Sequence, residues 1–212
     1  MEHRSLDDLY PSMPWDELDA VVFDVGNVLI SFDPEKILRE IFPEQEDLRE
    51  TLAWKVFRSP YWIMLDRGSI SREDAMQGMA GFDKALLPAI QKLMDEWLDL
   101  KEVLPEGVDA LHACKERGKK TYVLSNYSQD GFDFIAHKYP FFQLFDGMVV
   151  SAREGLLKPD QAIYRLLLSR YGLAPERTLF IDDAPANIEG ALEAGMRGFC
   201  LNRPGRLSAF LS

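Results

Sequence analysis

Cysteine is nearly absent: Cys114 and Cys200 are the only two in 212 residues, and neither belongs to a CxxC or Cys/His pattern. A disulfide framework or thiolate zinc site therefore has nothing to build on, and two buried thiols in a reducing compartment are the expectation. Histidine is equally scarce. His3, His112 and His137 cluster with no other candidate residue and read as tail or helix residues. Basic charge is in deficit, with 24 Lys and Arg against 35 Asp and Glu and a formal net charge of -11. Nucleic-acid affinity comes largely from clustered basic side chains, so this balance argues against a nucleic-acid partner. No apolar run approaches a membrane span, and the opening MEHRSLDDLYPSMPWDEL carries acids and two prolines where a signal peptide needs an apolar stretch. The expectation is a chain with no membrane partner and a cytoplasmic location. Internal repeats and low-complexity segments are missing too, which disfavours a solenoid or a disordered tail.

What is present suffices for one core of ordinary size with a modest insertion, since 47% of the residues are hydrophobic. Short apolar runs recur at 20–24 (AVVFD), 120–125 (KTYVLS), 147–151 (GMVVS), 178–182 (TLFID) and 197–201 (RGFCL), and read as buried parallel strands. Helical patterns lie between them at 105–117, 130–138, 160–171 and 185–194, the first and the last two closed by Gly118, Gly172 and Gly195. This alternation predicts an α/β fold with a doubly wound, mostly parallel sheet. The rhythm stops between Asp33 and about Val103. Here Asp33 and Pro34 open a helix that lines up Ile37, Leu38, Ile41 and Phe42, Leu48, Leu52 and Val56 follow at a spacing of four, and Ser71 with Asp74 forms a capping-box pattern. A fourth stripe runs through Leu86, Leu87, Ile90, Leu93, Met94 and Trp97. These stripes read as packing faces of a small helical cap over 33–103, inserted into a core formed by 1–32 and 104–212.

Four elements fall where strands end, which is where an open α/β sheet binds ligands. They are Asp24, the Ser125-Asn126 pair, Lys158, and the Asp182-Asp183 pair. Each alone is an ordinary turn, cap or solvated charge. Together they carry phosphoryl-transfer chemistry. A carboxylate such as Asp24 can split a hard hydrolysis into formation and breakdown of an acyl phosphate. Its charge repels an incoming phosphate unless a hard cation bridges them, and Mg²⁺ favours a site with a few carboxylates that keeps several waters. Asp183, with Asp182 nearby, supplies the second carboxylate. Ser125, a backbone N–H near Asn126, and Lys158 suit the outer oxygens of the transferring group.

The order and wording of these elements, FDVGNVLISFDP, SNYS, LLKPDQAIY and IDDAPANIEGA, resemble the four motifs of the haloacid dehalogenase (HAD) superfamily across essentially the whole chain, and look closest to bacterial members acting on α-D-glucose 1-phosphate. The resemblance implies a HAD-like core in which Asp24 is nucleophile and Mg²⁺ ligand and Gly26 ligates the metal through its backbone carbonyl. It further implies Ser125 as phosphate donor, Lys158 as neutralising cation, Asp183 as the direct metal ligand, and Asp182 acting through water or from behind. A small phosphorylated metabolite, in particular a sugar phosphate, is the implied partner; oligomeric state is not indicated.

One departure stands out. Phosphatases of the superfamily that this chain resembles usually place a second aspartate two residues after the nucleophile, as a general acid and base worth roughly 10²–10⁴ in rate. Here that position is Gly26, and neighbouring Asn27 has no titrating proton. A metal-free 2-haloacid dehalogenase also lacks that aspartate, and a non-catalytic HAD-like binding or regulatory protein is a third possibility. Asp182-Asp183 favours metal and phosphate over the dehalogenase, because clustered carboxylates are costly without a cation. Trp62 and Arg67 in the cap, and Tyr164 after Lys158, stand as further candidates to reach the site, with a core role expected for Tyr164.

Overall fold

The structure is a computed structural model that describes residues 15–201 and Leu207. The strands β1 (Ala20–Phe23), β2 (Lys120–Ser125), β3 (Gly147–Val150), β4 (Thr178–Asp182) and β5 (Arg197–Cys200) form one parallel sheet in the order β3-β2-β1-β4-β5. Every residue of β1 and β4 is buried. Strand periodicity divides these side chains between two faces: Val21 and Phe23 join one apolar cluster, Ala20 and Val22 the other. The apolar runs therefore lack polar alternation because helices cover the sheet on both sides.

Between β1 and β2 lie α1 (Pro34–Ile41), α2 (Glu46–Leu52), α3 (Pro60–Asp66), α4 (Arg72–Ala80), α5 (Leu87–Glu96) and α6 (Pro105–Glu116). After β2 come α7 (Gln129–Lys138), α8 (Ser151–Glu154), α9 (Gln161–Tyr171) and α10 (Pro185–Glu193). No strand of the sheet falls within 33–103. Asp33 caps α1 by accepting from the Lys36 amide, with Pro34 in the first turn, and Ser71 caps α4 by accepting from the Asp74 amide. Gly172 closes α9 in the left-handed region at φ 62°, where a side chain would be strained.

Two details differ from the sequence pattern. The spacing-of-four stripe does not belong to one helix: Leu52 ends α2, and the chain widens into a π turn over Ala53–Phe57 that still buries Val56. The helix α3 left no stripe, because Leu65 is its one buried residue; its signal is Ser59-Pro60, with the Ser59 hydroxyl accepting from the Trp62 amide.

The two connections to the helical stretch run side by side. Ser31 donates its amide to the Glu102 carbonyl at 2.8 Å, and Leu104 donates to Leu29 at 2.9 Å. The buried side chains of α1 to α5 are continuous with those on one face of the sheet. No described helix is long and apolar enough to cross a membrane.

Candidate active site

β1 is flanked by β2 on one side and β4 on the other, so the chain leaves the middle of the sheet in opposite directions and opens a crevice at its carboxyl edge. Register brings Phe23 level with Val123 and Ile181, so Asp24, Ser125 and Asp182 emerge at that one edge. Asp24 is held by its amide, which donates to the Ile181 carbonyl at 2.9 Å.

Lys158 lies between two of these carboxylates. Its ammonium is 2.8 Å from Asp24 and 2.6 Å from Asp182, and its side chain is 1% exposed. Asn126 fixes the lysine's backbone: its amide nitrogen donates to the Lys158 carbonyl at 2.9 Å, and its amide oxygen accepts from the Lys158 N–H at 2.8 Å. Asp182 is fully buried and also accepts from the Ala184 amide at 2.8 Å and from the Asn187 side chain at 3.0 Å on both oxygens. Its oxygens are therefore engaged by protein donors. Asp183 is half-buried and accepts from Asn27 at 3.0 Å. Ser125 is buried at the end of β2.

Three carboxylates against one ammonium leave this floor electron-rich. Burial pushes the Asp24 carboxyl above its ordinary range; the Lys158 ammonium opposes the rise and the Asp182 charge adds to it. Burial works against the Lys158 ammonium too, yet Asp182 and Asp24 outweigh it and hold its pKa above the usual lysine value. Asp183 is raised by burial, with the Asn27 hydrogen bond pulling the other way. One oxygen from each of Asp24, Asp182 and Asp183 lies within 4.8 Å of the others, an all-oxygen donor set of the kind a hard divalent cation prefers.

Above the floor is a cavity of about 170 Å³. Of the residues singled out in the sequence, Asp24, Gly26, Ser125, Asn126, Lys158 and Asp183 line it, and Asp182 supports it through Lys158. Its upper wall is aromatic. Trp62 and Trp97 meet with ring centres 5.1 Å apart, Phe32 stacks on Trp62 at 6.1 Å, and Tyr127 stacks on Trp97 at 6.1 Å. Lys101 and Asp66 complete that wall.

Trp62 thus reaches the cavity, but Arg67 turns to the surface, 3.8 Å from Asp160. Tyr164 is a core residue: it is fully buried, packs edge-on to Phe180, and donates its hydroxyl to the Asn187 carbonyl at 2.8 Å. Both cysteines are buried, His112 and His137 lie off the cavity lining, and His3 falls outside the described residues. Sequence reasoning missed Asn27 as a structural link, Asn187, Asp66, Lys101 and Tyr127. Trp97 was visible only as a packing residue. For Asn27 the signal was Val-Gly-Asn after the strand. Asn27 takes the left-handed φ of 52°, which asparagine tolerates better than most residues, and its side-chain oxygen accepts from the Phe32 amide at 2.8 Å.

A parallel sheet with three carboxylates and a buried lysine gathered at its switch point defines an α/β protein with a charged cleft at the carboxyl edge of the sheet. The model of the haloacid dehalogenase-like hydrolases matches residues 18–195, and the chain belongs to this hydrolase family. Sesquiterpene phosphatase astK from Aspergillus oryzae (strain ATCC 42149 / RIB 40) is 26% identical over 184 residues, covering 86% of this chain and 89% of that protein. The structure of the HAD family enzyme bt-2542 from Bacteroides thetaiotaomicron, in complex with magnesium and inorganic phosphate, matches with TM-score 0.67 at 18% identity over 86% of this chain and 93% of its own. L-2-haloacid dehalogenase from Xanthobacter autotrophicus, with chloropropionic acid covalently bound, matches with TM-score 0.64 at 18% identity over 89% and 79%. At such identities the structural likeness establishes a shared fold.

Proposed function

We propose that this hydrolase is a Mg²⁺-dependent phosphatase that releases phosphate from a small phosphorylated metabolite through an aspartyl-phosphate on Asp24. The observation that carries the reading is the floor itself, with three carboxylates gathered within 4.8 Å and one buried ammonium among them. Asp182 already serves Lys158, but Asp183 has no task in a halide displacement, whereas a phosphate site uses it with Asp24 to hold a cation. A relative named as a phosphatase over 89% of its length and a neighbour holding magnesium and phosphate support the same reading.

Asp24, the Gly26 carbonyl and Asp183 would hold Mg²⁺, with Asp182 behind, and the bound ion would screen the mutual repulsion of carboxylates and phosphate. Asp24 attacks phosphorus as a nucleophile. Lys158, Ser125 and a backbone N–H near Asn126 bind the phosphoryl oxygens and stabilise the charge that spreads over them. Asp182 and Asn126 position Lys158 from its two ends. The stretch 33–103 acts as a cap that excludes water from the acyl phosphate. A sugar phosphate suits an aromatic wall that stacks on the C–H face of a ring, and the same wall suits an isoprenoid.

The test is phosphate release from a panel of sugar, nucleoside and isoprenyl phosphates, with Mg²⁺ and with excess chelator, beside halide release from a 2-haloacid. Release that requires Mg²⁺ and is abolished in Asp24→Asn, with an unchanged circular dichroism spectrum, is the expected result. Halide release in chelator would establish the dehalogenase reading, and inactivity on both arms the binding-protein reading.

A further inference from the structure

Transfer of phosphate to Asp24 expels an oxygen that needs a proton, and the floor has none to give. The Lys158 ammonium is committed to two carboxylates, the Asp182 oxygens are occupied, and Gly26 has no side chain. The opposite wall differs. Lys101 is 6% exposed, lines the cavity, and makes no hydrogen bond or ion pair through its ammonium to any described residue. That ammonium instead lies 4.1 Å from the Phe32 ring centre and 4.8 Å from that of Trp97, with Tyr127 at 6.0 Å. Tyr127, also in the wall, keeps its hydroxyl buried without a partner among the described residues. Lys101 and Tyr127 both line the cavity, and the ammonium has no acceptor among the described residues, so an acceptor for it has to come from what the cavity holds.

We propose that Lys101 is the catalytic acid for the departing oxygen and the base for the water that follows. The inference rests on the phosphatase reading. In the first step the bond from Asp24 oxygen to phosphorus forms, the bond to the bridging oxygen breaks, and its electron pair stays on that oxygen. That oxygen takes a proton from the Lys101 ammonium and leaves as an alcohol. Water then enters on the same side, opposite Asp24. The Lys101 amine takes its proton as the oxygen bonds to phosphorus, and the electron pair of the acyl bond returns to the Asp24 carboxylate. Because leaving group and water occupy the same apical position, one residue serves both transfers.

The lysine is well placed for this. Its carbonyl accepts from the Tyr139 hydroxyl at 2.6 Å, and Lys138 donates to the Asp99 carbonyl at 3.1 Å, so the segment is tied to the end of α7 rather than to the helical stretch alone. Burial pulls the Lys101 ammonium down to about 7, against the charges of Asp66 and Asp24, the two carboxylates that hold it up. Both protonation forms are then populated near neutrality. Burial also raises Asp66 to about 7, while the Ser128 amide, the Lys101 charge and the Trp62 indole favour its ionised form. The Asp66 charge is the larger of the two that favour the Lys101 ammonium.

The test is Lys101→Met, which keeps the stem among the aromatic rings, assayed with Mg²⁺ on p-nitrophenyl phosphate, phenyl phosphate and a simple alkyl phosphate. The expected loss in kcat/KM is under about threefold for p-nitrophenyl phosphate, whose leaving group departs unprotonated, and roughly 10²-fold or more for the alkyl ester. A wild-type pH series provides an independent measure: kcat/KM for the alkyl ester falls as pH rises through about 7, while that for p-nitrophenyl phosphate stays level. Equal losses across the esters, or parallel pH profiles, would overturn the assignment and leave the phosphatase reading intact. No phosphate release by wild type from any ester would overturn both.

Discussion

Lys158→Met is the sharpest perturbation of the floor. Methionine matches the straight stem and most of the volume of lysine, so packing changes little and the lost charge dominates. The ammonium it removes is the shared partner of Asp24 at 2.8 Å and Asp182 at 2.6 Å, in a place where the lysine side chain is 1% exposed and that of Asp182 fully buried. Breaking one buried pair by deleting a partner costs about 3–5 kcal/mol, a large part of a folding stability of about 5–15 kcal/mol. With a urea slope of about 2–3 kcal/mol per M, the unfolding midpoint in chelator should drop by about 1–2.5 M. A cation that binds the floor offsets that loss. Mg²⁺ at a hundred times its dissociation constant stabilises by about 2.7 kcal/mol, and the rescue should exceed the wild-type gain because Lys158 no longer neutralises part of the site. The assay is urea unfolding followed by tryptophan fluorescence, in chelator and in Mg²⁺, with Na⁺ at matched ionic strength as the screening control. An unchanged midpoint in chelator, or equal Mg²⁺ stabilisation of both proteins, would refute the reasoning that the floor carries excess negative charge.

Asp183→Asn should raise the Mg²⁺ concentration for half-maximal activity by at least about tenfold, since even partners of metal ligands contribute 10- to 100-fold to affinity; an unchanged Mg²⁺ titration would remove Asp183 from the ligand set. Trp62→Ala should lower kcat/KM by roughly tenfold through the lost aromatic contact, while Arg67→Ala stays within about twofold, because its ion pair with Asp160 is long and exposed. Similar losses in both would contradict the cavity wall as drawn. Gly26→Asp should fold with a thermal midpoint within a few degrees of wild type, since a Cβ there meets nothing within 4 Å and the backbone is not left-handed. Its kcat/KM on a simple alkyl phosphate should rise if the new carboxylate reaches the bridging oxygen; a large drop in midpoint would show that glycine serves the backbone there after all.

The sheet was legible because its strands are buried on both faces, which makes each a short apolar run ending at a ligand edge. Asp24, Ser125 and Asp183 were legible for the same reason, because strand ends in a doubly wound sheet converge; Lys158 instead lies in the loop beyond α8, eight residues after β3 ends, and reaches the floor because Asn126 holds its backbone. The wall was not. Trp97 sits in an apolar stripe that also packs α5, and a stripe does not reveal which of its members faces a cavity. Lys101 is followed by Glu102 in a connection with no periodicity, so in sequence it reads as one more solvated charge; only the fold encloses it among Phe32, Trp97 and Tyr127. Asp66 was hidden because α3 buries a single residue and carries no stripe.

The missing carboxylate after β1 takes on a different meaning once the turn around it is considered. Val25 accepts from the amides of Leu29 and Ile30 at 2.9 and 3.0 Å, and Asn27 donates to the Ile30 carbonyl at 2.8 Å, so the chain folds back within a few residues. This turn needs a left-handed residue at Asn27, not at Gly26, and Gly26 lines the cavity with open space above it. Packing therefore does not demand a glycine at 26, and its presence frees room beside Asp24. Asn27 commits its amide to Asp183 on one side and to the Phe32 backbone on the other, so the same turn that fixes a carboxylate of the floor also fixes the first ring of the wall. That ring is the one closest to the Lys101 ammonium. One short loop thus sets Phe32 beside Lys101 and ties it to Asp183, while the empty position 26 is a separate feature that leaves room beside Asp24 for a proton donor arriving from the wall.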